Sequence, residues 1–143
     1  MYLLDTNVIS ESRKLGTPRV DPNAARWFAG VDAETSFISA MTIFELERGV
    51  AEMERRDAKQ GAALRHWLDD QILTVYEHRT LALSKEVALT CAGLHIPDLK
   101  SERDAWIAAT AIDAGLTLVT RNVGDFAGIG VELINPFERR AEL

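Results

Sequence analysis

Cysteine is almost absent from this 143-residue chain: there is one, Cys91. An internal disulfide is therefore excluded, and a reducing compartment is the expected setting. With Leu89, Thr90, Ala92 and Leu94 around it, Cys91 reads as an inert buried thiol. Histidine is scarce, and His66, His78 and His95 are scattered. No Cys or His cluster supplies the donors that zinc takes. No apolar run approaches the roughly 20 residues that span a bilayer, so no membrane association is expected. No basic segment leads into an apolar one at the start, so no signal peptide is expected. Repeats and low-complexity tracts are missing. Positive charge is in deficit: 16 Lys and Arg stand against 22 Asp and Glu, a net charge of −6. That excludes a protein that coats nucleic acid with a basic surface. It leaves room for an enzyme that holds a cation in an acidic pocket and touches phosphate with a few arginines.

What is present is the make-up of a globular protein, 47% hydrophobic and 27% charged. Length predicts one domain over residues 1–143, able to bury roughly 68–70% of its unfolded surface. Short β-rich runs alternate with helical patterns. Strands are expected at Tyr2–Leu4, Phe37–Ser39, Leu73–Tyr76, Leu116–Thr120 and Val131–Ile134. Ala24, Trp27, Phe28 and Val31 form a helical stripe within Asn23–Val31. "KLGTPRVDP" before it reads as a loop. A long helix is expected from Thr42, with Ile43, Leu46, Val50 and Met53 on one side. A break near Gly61 separates it from a second helix that turns Leu64, Trp67, Leu68 and Ile72 inward. Ser84–His95 reads as a helix that ends before Pro97. "SERDAWIAATAIDAG" reads as another, with Gly115 as its C-cap. "NVGDFAGIG" reads as a loop with one helical turn. The tail "FERRAEL" carries no signal. Strands separated by crossover helices imply a mostly parallel sheet in an α/β fold.

In such sheets ligands bind beyond the carboxyl ends of the strands, and acids follow several of them. Asp5 follows the first strand directly, and Glu45 is expected in the first turn of the helix after the second. Asp104 opens the helix that feeds the fourth, and Asp125 follows the fourth with Asn122. Each acid has a capping alternative. Thr42-x-x-Glu45, Ser101-x-x-Asp104 and, more weakly, Asn122-x-x-Asp125 have capping-box spacing. Asp5 has less structural excuse, since Thr6 could cap a helix there itself. Taken together the acids point elsewhere. Two carboxylates about 5 Å apart repel by on the order of 3 kcal/mol at an effective dielectric near 20. Three or four converging acids would destabilise the fold, or take up protons, unless a cation sits among them. An all-oxygen set suits Mg²⁺ or Mn²⁺, and such an ion supports phosphodiester hydrolysis.

Four stretches, "LLDTNVIS" (3–10), "ISAMTIFELERG" (38–49), "DAWIAATAIDAGLTLVTRNVGDF" (104–126) and "VELINP" (131–136), together resemble the PIN-domain ribonucleases. The resemblance is strongest to the VapC-type toxins of toxin–antitoxin pairs. It implies a three-layer α/β/α fold around a five-stranded parallel sheet, and a cytoplasmic Mg²⁺-dependent endoribonuclease, with Mn²⁺ as a substitute. Asp5, Glu45, Asp104 and Asp125 match the family acids. Asp5 and Asp104 would touch metal most directly, with Glu45 and Asp125 completing the site directly or through water. Thr6, Asn7, Thr120 and Asn122 match polar positions that orient the acids or water. Arg121 would contact substrate or pair with a surface acid. Ala108, Ala109 and Ala111 would let their helix pack close to the sheet. Trp106 departs from the smaller residue usual there, and "DLKSER" ahead of Asp104 is more charged than usual. The resemblance also implies an RNA substrate, a homodimer, and an antitoxin through which alone operator DNA is reached. Two alternatives stand beside it: a Mg²⁺-dependent phosphatase with Asp5 as nucleophile, and a non-catalytic partner-binding subunit. The phosphatase normally needs a second acid where this chain has Asn7.

Overall fold

A computed structural model describes residues 1–139; residues 140–143 of the tail lie outside the described residues. Five parallel strands form one sheet in the order β3-β2-β1-β4-β5. These are β1 (Tyr2–Leu4), β2 (Ser36–Ser39), β3 (Thr80–Leu81), β4 (Thr117–Val119) and β5 (Leu133–Ile134). The helices are α1 (Thr6–Ser12), α2 (Pro22–Ala29), α3 (Ala40–Arg56), α4 (Ala58–His66), α5 (Lys85–Leu94) and α6 (Glu102–Ala114). The chain winds outward from β1 through β2 to β3, then returns to the other side of β1 for β4 and β5. The strand order therefore reverses between β1 and β4, the position where open α/β sheets leave a crevice.

Alternation along the strands makes three layers, because successive side chains leave opposite faces. Leu4, Ile38 and Val119 point to one face, where Val8, Ile9, Leu46, Val50, Leu68 and Ile72 cover them. Leu3 and Leu118 point to the other, against Ile107, Ala108, Ala111 and Phe126. The small side chains of α6 do what their size predicts: Ala108, Ala109 and Ala111 are fully buried. Trp106 finds room beside Val87, Cys91, Ala105 and Ala109, between α5 and α6. Cys91 is buried and free, and burial, joined by the Glu102 charge, pushes its thiol up. Among the described residues no helix is long and apolar enough to cross a membrane.

Three expectations fail locally. Leu73–Tyr76 is not the third strand. A π-helical stretch, Trp67–Leu73, continues α4, and the chain turns before β3 begins at Thr80. Leu73 and Tyr76 pack on the first core from that helical segment, because a short apolar run fits either period. The break between the long helices falls at Asp57, whose side chain accepts the Gln60 N–H and caps α4. Gly61 lies inside α4, where a Cβ would stand 2.4 Å from the Glu54 Cα. Its bare backbone is what lets the two helices close. The cap of α3 is Ser39, which accepts the Met41 N–H, so Thr42 sits inside the helix and is fully buried. The C-cap at Gly115 stands where the sequence puts it, and α5 opens at its expected first residue. Ser84 accepts the Val87 N–H, and Gly115 closes α6 at φ 68°, a left-handed position glycine adopts without cost.

Candidate active site

The sheet edge between β1 and β4 is built around Asp5. Its backbone N–H donates to the Val119 carbonyl at 2.9 Å, which fixes it at the carboxyl edge. Its side chain is fully buried and accepts four hydrogen bonds. Oδ1 takes the Thr6 N–H at 2.7 Å and Arg103 Nη2 at 2.6 Å. Oδ2 takes Thr120 Oγ1 at 2.8 Å and Asn7 Nδ2 at 3.3 Å. Asp5 is thus the cap of α1 after all, as well as the centre of a network. A buried carboxylate is tolerable when donors and positive charge surround it.

Glu45 comes from the second turn of α3. Its Oε1 accepts from Thr6 Oγ1 at 2.7 Å and its Oε2 from Arg103 Nε at 2.5 Å. The capping-box reading of Thr42 and Glu45 is therefore wrong, because α3 starts one turn earlier than Thr42 suggests. Thr42 instead brings its hydroxyl within 3.2 Å of the Thr6 hydroxyl. Asp104 is in the first turn of α6. Its N–H meets the Ser101 hydroxyl at 3.5 Å, while its carboxylate accepts Arg103 Nη1 at 2.6 Å. Only half of that capping box forms.

The supporting polar residues fall where expected, except one. Thr120 bonds Asp5 and also accepts the Asn122 N–H at 3.0 Å. Asn7 bonds Asp5 and accepts the Arg121 N–H at 3.1 Å. Asn122 contributes through its backbone, since its side chain makes no cap hydrogen bond. Asp125 lies on the 3₁₀ turn Val123–Phe126 after β4, at the same edge, with its side chain exposed and outside the network. The Asn122-x-x-Asp125 capping box does not form. Arg121 stacks on Phe137 at 4.6 Å from the ring centroid.

Arg103 was absent from the expected site, yet it joins its three acids. Its guanidinium spends a different nitrogen on each of Asp5, Glu45 and Asp104. Burial works against the charge, but the Glu45 hydrogen bond and the Asp5 charge outweigh it and hold Arg103 firmly protonated. The sequence signal was the charged run before Asp104; nothing in its spacing says that the arginine would turn inward. The repulsion that demands a cation is thus met, in this arrangement, by the chain itself.

The donor set also suits a hard divalent ion. Its free donors would be carboxylate oxygens, with side chains 0%, 14% and 16% exposed for Asp5, Glu45 and Asp104, the oxygen chemistry Mg²⁺ prefers. Among the described residues no three acidic, His or Cys side chains stand in metal-holding positions, and the seated guanidinium takes one oxygen of each acid.

A family profile described as "PIN domain" matches residues 2–130. Toxin FitB of Neisseria gonorrhoeae is 33% identical over 143 residues, covering 96% of this chain and 99% of that one. VapC ribonuclease Y4jK of Sinorhizobium fredii is 32% identical with the same coverage. The structure of FitAB bound to an IR36 DNA fragment superposes with a TM-score of 0.87 at 29% identity, covering both chains fully. The three-layer fold, the acids converging at the β1–β4 edge and these likenesses agree: the chain belongs to the PIN-domain family.

Proposed function

We propose that this protein is a Mg²⁺-dependent endoribonuclease, the toxin half of a toxin–antitoxin pair. The observation that carries the reading is the meeting of Asp5, Glu45 and Asp104, from three separate elements, on a single cation at the strand edge. Three acids brought to one place from separate elements, with an arginine placed among them, form the kind of charge cluster that marks a functional site. The likeness to a protein named as a VapC ribonuclease supports the same reaction class.

In this reading Asp5 and Asp104 hold the metal. Glu45, steadied by the Thr6 hydroxyl, completes the set, and Asp125 contributes from the rim through water. The ion they would hold would supply polarisation of the phosphoryl oxygen and a lowered pKa for the attacking water. Thr120, Thr6 and Asn7 keep the Asp5 carboxylate from rotating, a preorganisation that supporting hydrogen bonds supply at such sites. Water oxygen bonds to phosphorus in line, the bond to the 3′ oxygen breaks, and the products carry a 3′-hydroxyl and a 5′-phosphate. Exposed loops or single strands of RNA are the substrates, because the pocket must reach the backbone. The phosphatase alternative finds no second acid at position 7, where Asn7 is already bound to Asp5 and to the Arg121 N–H.

The partners follow from the same reading. An antitoxin covers the acid pocket with a cation, drawn by its charge, and carries the complex to operator DNA. The toxin itself acts as a homodimer in the cytoplasm. The test is cleavage of a structured RNA by the purified chain with Mg²⁺. D5N and D104N are expected to abolish it while keeping the far-ultraviolet circular dichroism of the parent. Cleavage by both at the parental rate would overturn the assignment.

A further inference from the structure

Asp5 has no room for another ligand. A carboxylate offers about four lone-pair sites, and four donors already fill them. A divalent ion can reach Asp5 only if one donor leaves. Three of the four are anchored. The Thr6 N–H is backbone in the first turn of α1. The Thr120 hydroxyl is buried and also tied to the Asn122 N–H. The Asn7 amide is held through its other atom by the Arg121 N–H. The fourth is Arg103, on a long flexible stem with its side chain 30% exposed. It alone can swing into solvent without unfolding an element. The same side chain occupies Glu45 Oε2 and Asp104 Oδ1, so one rotation frees an oxygen on all three acids at once.

We propose that Arg103 is a built-in placeholder cation: it neutralises the acid pocket in the metal-free protein, and a divalent ion enters only as its guanidinium swings out. This rests on the metal-dependent reading above. Metal affinity is then set by competition within the chain, and the metal-free enzyme is held in a folded, inactive form. A guanidinium and a dication cannot share the same oxygens, so the two occupancies exclude each other.

The test compares the full-length chain with R103Q and R103K in Mn²⁺ titrations by calorimetry. R103Q is expected to bind Mn²⁺ at least tenfold more tightly, and R103K to fall between it and the parent, since an ammonium reaches fewer acids. A second readout needs only the parental protein. Its Arg103 Nε–Hε resonance, identified by its loss in R103K, should move to the position of a solvated arginine as Mg²⁺ is added. If the parent binds Mn²⁺ but R103Q binds no tighter and the resonance stays put, the placeholder role is overturned and the metal reading survives. If neither chain binds Mn²⁺, both fall. If R103Q does not fold, the resonance decides alone.

Discussion

Two arginines in this molecule each bind three acids, in surroundings that share almost nothing else. Arg103 holds Asp5, Glu45 and Asp104, and Arg65 holds Glu47, Glu54 and Asp69. The arginines are equally exposed, at 30% and 29%. Their acids are not: the first set is 0–16% exposed and the second 40–51%. Helix α3 serves both, sending Glu45 to one cluster and Glu47 and Glu54 to the other. The surface cluster bridges α3 and α4 within residues 47–69, and water can replace it. The buried one joins residues as far apart as Asp5 and Arg103, and water cannot reach Asp5. Charge gathered in a pocket from distant parts of the chain is there for use; charge gathered on a helix surface is mostly solvation.

The comparison can be broken most severely at the acids. D5N or D104N should lower Mg²⁺-dependent RNA cleavage by roughly a thousandfold or more, about 4 kcal/mol of barrier, whereas E47Q should leave the rate within error. Next in size is the helix contact beneath the surface cluster. G61A places a Cβ against the Glu54 backbone, and should cost about 1–3 kcal/mol in urea unfolding while leaving Mn²⁺ affinity unchanged. A smaller effect is expected from R103Q in a chelator, a loss of about 1–2 kcal/mol after allowing for solvent screening. R65Q under the same conditions should lower the melting temperature less than R103Q does.

The smallest effect is a titration. The Arg65 hydrogen bond, against a small opposing push from burial, holds the Glu54 carboxyl below its ordinary 4.5. A lowered carboxylate adds stability that is present above pH 4.5 and is lost as pH falls through the lower, folded-state value. Carboxyl-carbon NMR should place that titration back near 4.5 in R65Q, and in the parent at 1 M salt, where the Debye length is about 3 Å.

Much of this was legible from residue order. Asp5, Thr6 and Asn7 after an apolar run, and Thr120 after another, announce the edge where the site forms. Ser101 and Gly115 announce helix ends by chemistry that acts locally. What could not be read depends on contacts between distant segments. Leu73–Tyr76 became helix because β2 found its partner at Thr80 and Leu81. Thr42 looked like a cap because the spacing is right, but Ser39 was nearer the strand end. Asp57 ended α3 and began α4, whereas Gly61, which looked like the break, is the close contact. Arg103 stayed hidden because a side chain's direction is decided by the acids it meets, and two of the three lie 58 and 98 positions away.

The most direct measurement is anomalous diffraction from a crystal of this chain soaked in Mn²⁺. The account predicts one strong peak about 2.1 Å from oxygens of Asp5 and Asp104, with the Arg103 guanidinium turned away from both. Manganese bound elsewhere, with Arg103 still seated on all three acids, would contradict it.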